Sequence, residues 1–464
     1  MNYTDEAFLV LFGVTFALYY AARGARQQVW ILVIASLIFY AWESPPLLAV
    51  FCCSWLLTGA LSYLAARAPS EKRARTLTGV GVVSNLALLA FFKYKFLFLA
   101  QATDAEQIRT VADWLIFAPL PIGISFYVFH AISLLVDSFR GDSTISGRSK
   151  RVYGHLADTL LYLVFFPQLI AGPIIKAKQF FPQVTYKAFS EVPFRSAFGI
   201  LTVGFFFKRV VADNLSEQTY WIAFPYFLGR SSIDLLFLLV GYSAQIFADF
   251  AGYSLIAIGL AKLLGYTLPR NFDFPYLASS FSEFWRKWHI SLSSWLRDYL
   301  YIPLGGNKTP GMRTYLNLMV VMFLGGLWHG AAWSFAIWGV WHGLALMAER
   351  PFATTRFMTA GGVCRVVRVL IVFSVVTVGW LFFKLQDARE AFMFLRSIFT
   401  TDVAGVSPSN VLIAIYVLPV FGYHLFSLYR ERLNMPGREY VLAAMLFLTI
   451  ANSGPVASFI YFQF

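Results

Sequence analysis

Residues 315–338 read YLNLMVVMFLGGLWHGAAWSFAIW, a run longer than twenty residues in which His329 is the only side chain that titrates near pH 7. A helix needs about 20 mostly apolar residues to cross a bilayer, so this stretch sets the class of the protein. A polar ring in hydrocarbon needs a partner, and ionisable residues inside spans usually face a cavity or a relay. Imidazole is also the side chain best suited to take a proton from a hydroxyl at neutral pH. Two readings of His329 stand side by side: a packing histidine tied to a backbone carbonyl, and a base at a functional site.

The rest of the chain agrees with a membrane class. Its 464 residues are 58% hydrophobic, with a mean hydropathy of +0.64. Charged residues make up 13%, about half the roughly 25% of a soluble domain. Candidate spans are 7–22, 29–42, 47–66, 77–99, 116–139, 156–172, 197–212, 233–261, 315–336, 337–349, 366–383, 411–428 and 439–452. Several are short or interrupted, so roughly ten to twelve true crossings are expected, the rest being re-entrant or interfacial. The expected fold is all-α and polytopic, one integrated domain over 1–464 surrounded by membrane lipids. Residues 1–115 are plain hairpins, 116–345 a core rich in polar, glycine and proline residues, and 346–464 plain spans again.

The net charge of +13 calls for no nucleic acid, because the basic residues fall in short loops as the positive-inside rule expects. Arg23 and Arg26 follow the first span, Arg67, Lys72, Arg73 and Arg75 the third, and Arg140, Arg148, Lys150 and Arg151 the fifth. These loops alternate with Glu43-Ser44-Pro45-Pro46 and with the acidic segment of Asp104, Glu106 and Asp113. The pattern puts the basic loops, including those between Arg286 and Arg313, Arg350 and Arg368, and Arg430 and Arg438, in the cytoplasm. The N-terminus is then outside, in the periplasm of an inner-membrane protein. Residues 1–8 carry Asp5 and Glu6 and no Lys or Arg, the wrong flank for a cleaved signal peptide. The first span is expected to stay as an anchor. Cys52, Cys53 and Cys364 form no disulfide framework; packing is expected for the pair, with lipidation an option for Cys364.

Helix breakers crowd the middle region. Pro119 and Pro121 precede Gly123, and Pro167 and Pro173 bracket residues 168–172. Freed backbone groups at membrane depth are tolerated only where protein or a watery cavity satisfies them. An irregular polar core and a kinked solid bundle both fit. In 281–299, Phe281, Phe284, Trp285, Trp288, Leu292, Trp295, Leu296 and Tyr299 recur at helical spacing, with Arg286, Ser293, Ser294 and Arg297 on or near the other face. That pattern predicts an amphipathic interfacial helix with His289 at its border. The exit Gly305-Gly306-Asn307 reads as a turn, or as backbone N–H groups offered to an anion.

The histidines are 130, 155, 289, 329, 342 and 424, with no His-x-x-x-His and no carboxylate pair at metal-ligand spacing. His329 and His342 each sit in Trp-His-Gly, but thirteen residues turn a continuous helix by about 220°. A break, for instance at Gly339, is needed for them to meet. His130 and Asp137 share a face and either line a tunnel or mark a boundary. Asp249 is the one carboxylate well inside a span, an acid or the partner of an intramembrane base. No nucleophile elbow and no P-loop is present.

Three blocks carry a resemblance: NFDFPY at 271–276, SEFWRKWHISLSSWLRDYLYIPLGGN at 282–307 and GGLWHG at 325–330. PIGISFY at 121–127, FPQLIAGPI at 166–174 and IYFQF at 460–464 support it. Together they resemble the membrane-bound O-acyltransferase family, in its bacterial branch that O-acetylates exopolysaccharides. The resemblance implies a ring of helices around a thin, partly re-entrant core where a cytosolic donor meets an outer acceptor. It implies His329 as the catalytic histidine and His289 as the second family histidine, on the donor side. The accompanying candidates for substrate or donor binding are Trp285, Trp288, Arg297, Asp298, Trp328 and Asp249, with no metal. Acetyl-CoA is the implied donor and no bound cofactor is expected. The implied partner is a periplasmic SGNH-like acetyltransferase, and the polymer is alginate, with cellulose and peptidoglycan as alternatives. D-alanyl transfer to teichoic acid is the rival within the fold. A transporter or flippase is the rival outside it, although no paired halves are visible in the sequence.

Overall fold

The computed structural model describes the chain apart from residues 43, 100–109, 147–150, 170–171, 309–310, 430–436, 456, 458 and 461–464, and the side chains of 96–99, 111–113, 146 and 429. The expectations on Glu43, Asp104, Glu106, Arg148, Lys150, Arg430 and 461–464 lie outside the described residues. Every regular element among the described residues is helical. The chain forms two compact units, Met1–Ala197 with Ala257–Pro269, and Phe198–Ile256 with Arg270–Phe464.

The first unit holds α1 (Glu6–Ala21), α2 (Ala25–Ala41), α3 (Pro45–Ala65), α4 (Glu71–Leu99), α5 (Val111–Phe117), α6 (Ile124–Phe139), α7 (Ser143–Ser146), α8 (Val152–Val164), α9 (Phe166–Leu169) and α10 (Ala177–Phe180). Large apolar side chains face outward, with Val10 67% and Val83 65% exposed, a surface suited to lipid and costly in water. Inside, polar side chains pair across helices. Asn85 on α4 donates to Thr58 Oγ1 at 3.0 Å and accepts from Ser54 Oγ at 2.9 Å, both on α3. Ser62 Oγ lies 2.8 Å from His155 Nε2.

Of the four prolines, Pro121, Pro167 and Pro173 are buried and Pro119 is exposed. Gly123 takes φ +67°, and a Cβ there would stand 2.5 Å from Leu169 O, so glycine is required. Tyr162 donates to Ile175 O at 2.8 Å, and Gln168 Nε2 to Tyr162 O at 2.8 Å. Protein groups thus satisfy the Ile175 carbonyl and that of Tyr162 in the last turn of α8. His130 is buried against Tyr162, with ring centroids 5.2 Å apart, and Asp137 lies 3.8 Å from Arg140.

The second unit holds α11 (Phe194–Phe205, from Phe198 onward), α12 (Asp213–Thr219), α13 (Ser232–Leu263, up to Ile256), α14 (Phe281–Lys287), α15 (Ile290–Leu296), α16 (Met312–His329), α17 (Trp333–Glu349), α18 (Arg356–Thr359), α19 (Val363–Lys384), α20 (Ala388–Thr400), α21 (Ser409–Tyr429) and α22 (Arg438–Ala451). The apolar window of α13 is 83% buried and that of α21 22%, so α13 is the core helix. Among the described residues five helices are long and apolar enough to cross a membrane: α3, α4, α13, α19 and α21. The run 315–338 divides at Gly330–Ala332, which is not helical, into the hairpin α16–α17.

A wide π-turn at Phe206–Ala212 follows α11 and carries Lys208 inward. Lys208 Nζ stands 2.8 Å from Asp249 Oδ1 and 2.7 Å from Asp213 Oδ1, and donates to Ala457 O at 3.0 Å. Asp249 Oδ2 accepts the Ile460 N–H at 2.7 Å. Arg209 pairs with Asp213 and donates to Gly454 O at 2.9 Å. Asp249 is therefore the partner of a buried base, and the cluster ties down the final segment of the chain. Breaking a buried pair from one side costs about 3–5 kcal/mol. Lys208→Met is expected to lower the level of folded protein in membranes and its thermal unfolding temperature in detergent. Lys208→Met with Asp249→Leu should recover part of the loss; a single variant as stable as the wild type would contradict this role.

Candidate active site

The predicted continuous helix over 281–299 is two helices and a π-turn. Ser280 caps α14 by accepting the Glu283 N–H at 3.0 Å. Glu349, at the end of α17, accepts the N–H groups of Phe281 and Ser282 as well. The chain then turns at His289, which takes φ +43° and ψ +53°, a left-handed conformation rare outside glycine. Asn271 holds this turn: its carbonyl accepts Ile290 N–H at 2.9 Å, its Oδ1 accepts Ser291 Oγ–H at 2.6 Å, and its Nδ2 donates to Ser254 Oγ at 2.8 Å. α15 follows, then the π-turn Arg297–Tyr301. Hydrophobic spacing ran through the kink because Trp288 and Leu292 are both buried on either side of it.

On the other wall, α16 and α17 meet backbone to backbone. A Cβ on Gly326 would lie 2.2 Å from Phe335 O, and one on Gly339 2.3 Å from Met322 O. The break between the two Trp-His-Gly motifs is thus at 330–332, and Gly339 is a contact point in mid-helix. His329 ends α16 and is buried. Its ring is flanked by Trp328 at 4.9 Å, Trp338 at 5.1 Å and Phe383 at 5.1 Å, all nearly edge-on. These aromatic contacts fix the imidazole's orientation.

A cavity of about 300 Å³ lies between α14–α15 and α16–α17. His329 lines it with Trp285, Trp338, Ser293, Ser294, Arg286 and Arg297. The two arginines are exposed and His329 is buried, so the cavity leads from a cationic rim to the imidazole. Arg297 Nε donates to Asp298 Oδ1 at 2.7 Å. On α14, Glu283 pairs with Lys287 at 2.8 Å and accepts Ser279 N–H at 2.8 Å. Burial pushes the Glu283 carboxyl up, but Lys287 and the Ser279 N–H outweigh it and hold it below its ordinary value.

Of the residues expected at the site, His329, Trp285 and Arg297 come together in this cavity. His289 does not line it; buried to 1% exposure, it packs on Phe250 at 4.6 Å and on Trp328 at 6.2 Å. Trp328 touches both histidines and stays out of the cavity lining. Trp288 belongs to an aromatic core with Phe284 at 5.6 Å and Trp380 at 4.8 Å. Asp298 serves Arg297, and Asp249 the Lys208 cluster. The N–H groups of Gly305 and Gly306 are donated to Ile302 O and Tyr301 O, so that run is a turn and those two amides are spent within it.

His342 was not among the expected site residues. It is fully buried between Trp285 at 5.1 Å and Trp338 at 4.9 Å, directly behind two walls of the cavity. Its Trp-His-Gly motif was the signal, readable only once the hairpin break is placed correctly. Among the described residues no cluster of three or more His, Cys, Asp or Glu is assembled for a metal.

The family model for MBOAT, the membrane-bound O-acyltransferase family, matches residues 34–386. The "Probable alginate O-acetylase AlgI" of Azotobacter vinelandii is 34% identical over 92% of this chain and 86% of its own length. The protein of the same name from Pseudomonas putida is 33% identical over the whole of both chains. The "Peptidoglycan O-acetyltransferase" of Helicobacter pylori is 33% identical over 84% of this chain and 76% of its own. With a family match that spans the cavity and both of its walls, the chain belongs to the membrane-bound O-acyltransferase family and is a multi-pass membrane O-acyltransferase.

Proposed function

We propose that this protein takes acetyl groups from a cytoplasmic thioester, acetyl-CoA, and passes them across the inner membrane for O-acetylation of an exopolysaccharide. Alginate is the first polymer to test, then cellulose and peptidoglycan. The observation that carries this reading is His329 at the buried end of a cavity whose rim bears Arg286 and Arg297. The rim suits the phosphates of a nucleotide thioester, because guanidinium groups bind phosphate by charge-assisted hydrogen bonds. The mostly apolar walls suit the neutral arm that ends in sulfur. At the buried end, the imidazole removes the proton of an acceptor hydroxyl as its oxygen attacks the thioester carbonyl. The tetrahedral adduct then expels the thiolate, which takes up a proton. A hydroxyl is a weak nucleophile alone, and base catalysis of this kind is worth about 10²–10⁴-fold.

In this reading the remaining apolar helices complete a ring of ten to twelve crossings around a thin core, with the N-terminus in the periplasm. The acceptor is a periplasmic SGNH-like acetyltransferase, which passes the group to the polymer. His289 keeps the donor-side wall in place through Trp328. D-alanyl transfer from a carrier protein is the second reading within the fold. It is weighed down by the O-acetylation named in relatives matched over most of their length. A transporter without chemistry would release no thiol from acetyl-CoA, and purified protein decides that point directly.

His329→Ala, at unchanged protein level, is expected to lower acetylation of the secreted polymer at least about 10²-fold, measured by mass analysis; unchanged acetylation would falsify the assignment. His289→Ala should cause a milder loss, seen mainly as weaker donor use, and wild-type donor kinetics would leave it a purely structural residue. Arg286→Gln with Arg297→Gln is expected to raise KM for acetyl-CoA about tenfold or more, with a smaller change in kcat. An unaltered KM would remove the phosphates from the rim.

A further inference from the structure

A second cleft, of about 200 Å³, lies in the first unit, lined by Tyr20, Lys187, Glu191, Lys262, Gly265 and Tyr266 among others. Two glutamines hold its walls by the same device. Gln28, 2% exposed, accepts the Lys187 N–H at 2.9 Å and donates to Lys187 O at 2.8 Å. Gln183 accepts the Thr267 N–H at 2.7 Å and donates to Thr267 O at 3.1 Å. Each amide copies the two-point pairing of neighbouring β-strands, so both loops are fixed before any ligand arrives. Tyr20 adds a third fastening by donating to Leu263 O at 2.7 Å.

The lysine side chains are placed as firmly. Gly265 takes φ +77°, and a Cβ there would lie 2.9 Å from Lys187 Cδ. The Lys187 stem thus lies across a bare backbone, with its ammonium 5.6 Å from the Tyr266 ring centre. Lys262 closes the same cleft from the last turn of α13. Among the described residues neither ammonium has a carboxylate within ion-pair distance. Glu191 is the carboxylate among the cleft's lining residues, so its charged groups sum to one positive charge.

Beside the cleft stand exposed aromatic side chains: Phe189 at 56%, Tyr186 at 48% and Phe194 at 36%. Phe189 packs on Phe16 at 6.2 Å and Tyr20 at 5.6 Å, at the end of α1 just before Arg23. Aromatic residues next to basic ones at the end of an apolar helix fit headgroup level.

From these observations we propose that the cleft is a binding site for an anionic phospholipid with a hydroxylated headgroup, of the phosphatidylglycerol type. The phosphodiester bridges Lys187 and Lys262, a headgroup hydroxyl donates to Glu191, and the acyl chains lie along Phe189 and Phe194. A headgroup of one negative charge matches the cleft, and a zwitterionic one leaves a positive charge unmet. The site is independent of the acyl-transfer chemistry.

The test is native mass spectrometry of the protein in detergent with dioleoyl phosphatidylglycerol, phosphatidylethanolamine or phosphatidylcholine. Wild-type protein is expected to retain one phosphatidylglycerol most tightly. Lys187→Gln with Lys262→Gln should weaken that retention about tenfold or more. If the double variant does not fold, Lys262→Gln alone leaves both glutamine clamps intact and should weaken it roughly fivefold. Equal retention by the variants, or equal retention of the three lipids, would overturn the site. Displacement by millimolar sn-glycerol 3-phosphate would instead assign it to a free phosphate ester and overturn the lipid.

Discussion

A polar group carried into hydrocarbon must be met by another polar group of the protein, since no water is there to replace it. Much of this structure is a set of answers to that demand. Asn85 binds Thr58 and Ser54 across two helices. The carbonyls of Ile175 and of Tyr162, near the end of α8, are met by buried tyrosine and glutamine. Lys208 gathers Asp213, Asp249 and a carbonyl of the final segment. Once these needs are satisfied by protein, the chain is free to depart from continuous helix, and it does so where the cavity is built. The kink at His289, held by Asn271, aims α15 at the hairpin. Without that kink, the face carrying Arg297 and Ser294 has no reason to share a cavity with His329.

The class of the fold and the position of His329 were legible from apolar run length and from one ionisable ring. Local pattern failed where backbone geometry departs from a uniform helix. The spacing of Phe284, Trp288, Leu292 and Trp295 reads as one continuous stripe, because the side chains before and after His289 are all buried. Nothing in the sequence marks a non-glycine residue that will turn left-handed, since Asn271, the residue that compels it, lies eighteen positions earlier. The same limit hid His342: its angle from His329 is meaningful only on a continuous helix, and the helix stops at Gly330. Asp249 was readable as needing a base, but Lys208 lies 41 positions away, in a π-turn that has no sequence signature.

The environment of His329 has a particular balance. Its neighbours are aromatic edges, from Trp328, Trp338 and Phe383. Such a lining orients a ring. One side of the residue opens into the cavity. His289, by contrast, packs between Phe250 and Trp328 and does not line the cavity.

The close approach of α16 and α17 at Gly326 and Gly339 also says where this architecture can vary. At these two contacts backbone meets backbone, no side chain lies between to be resized, and an added carbon forces the hairpin apart there. His329 rides on a part that cannot be retuned in small steps. The facing wall, made of short helices with serine, leucine and arginine side chains, has no such restriction. In the proposed function, a change of donor is therefore met by substitution along α14 and α15, while the hairpin stays as it is. On that reading the hairpin carries the constant part of the chemistry, and the facing wall carries the part free to drift with the donor.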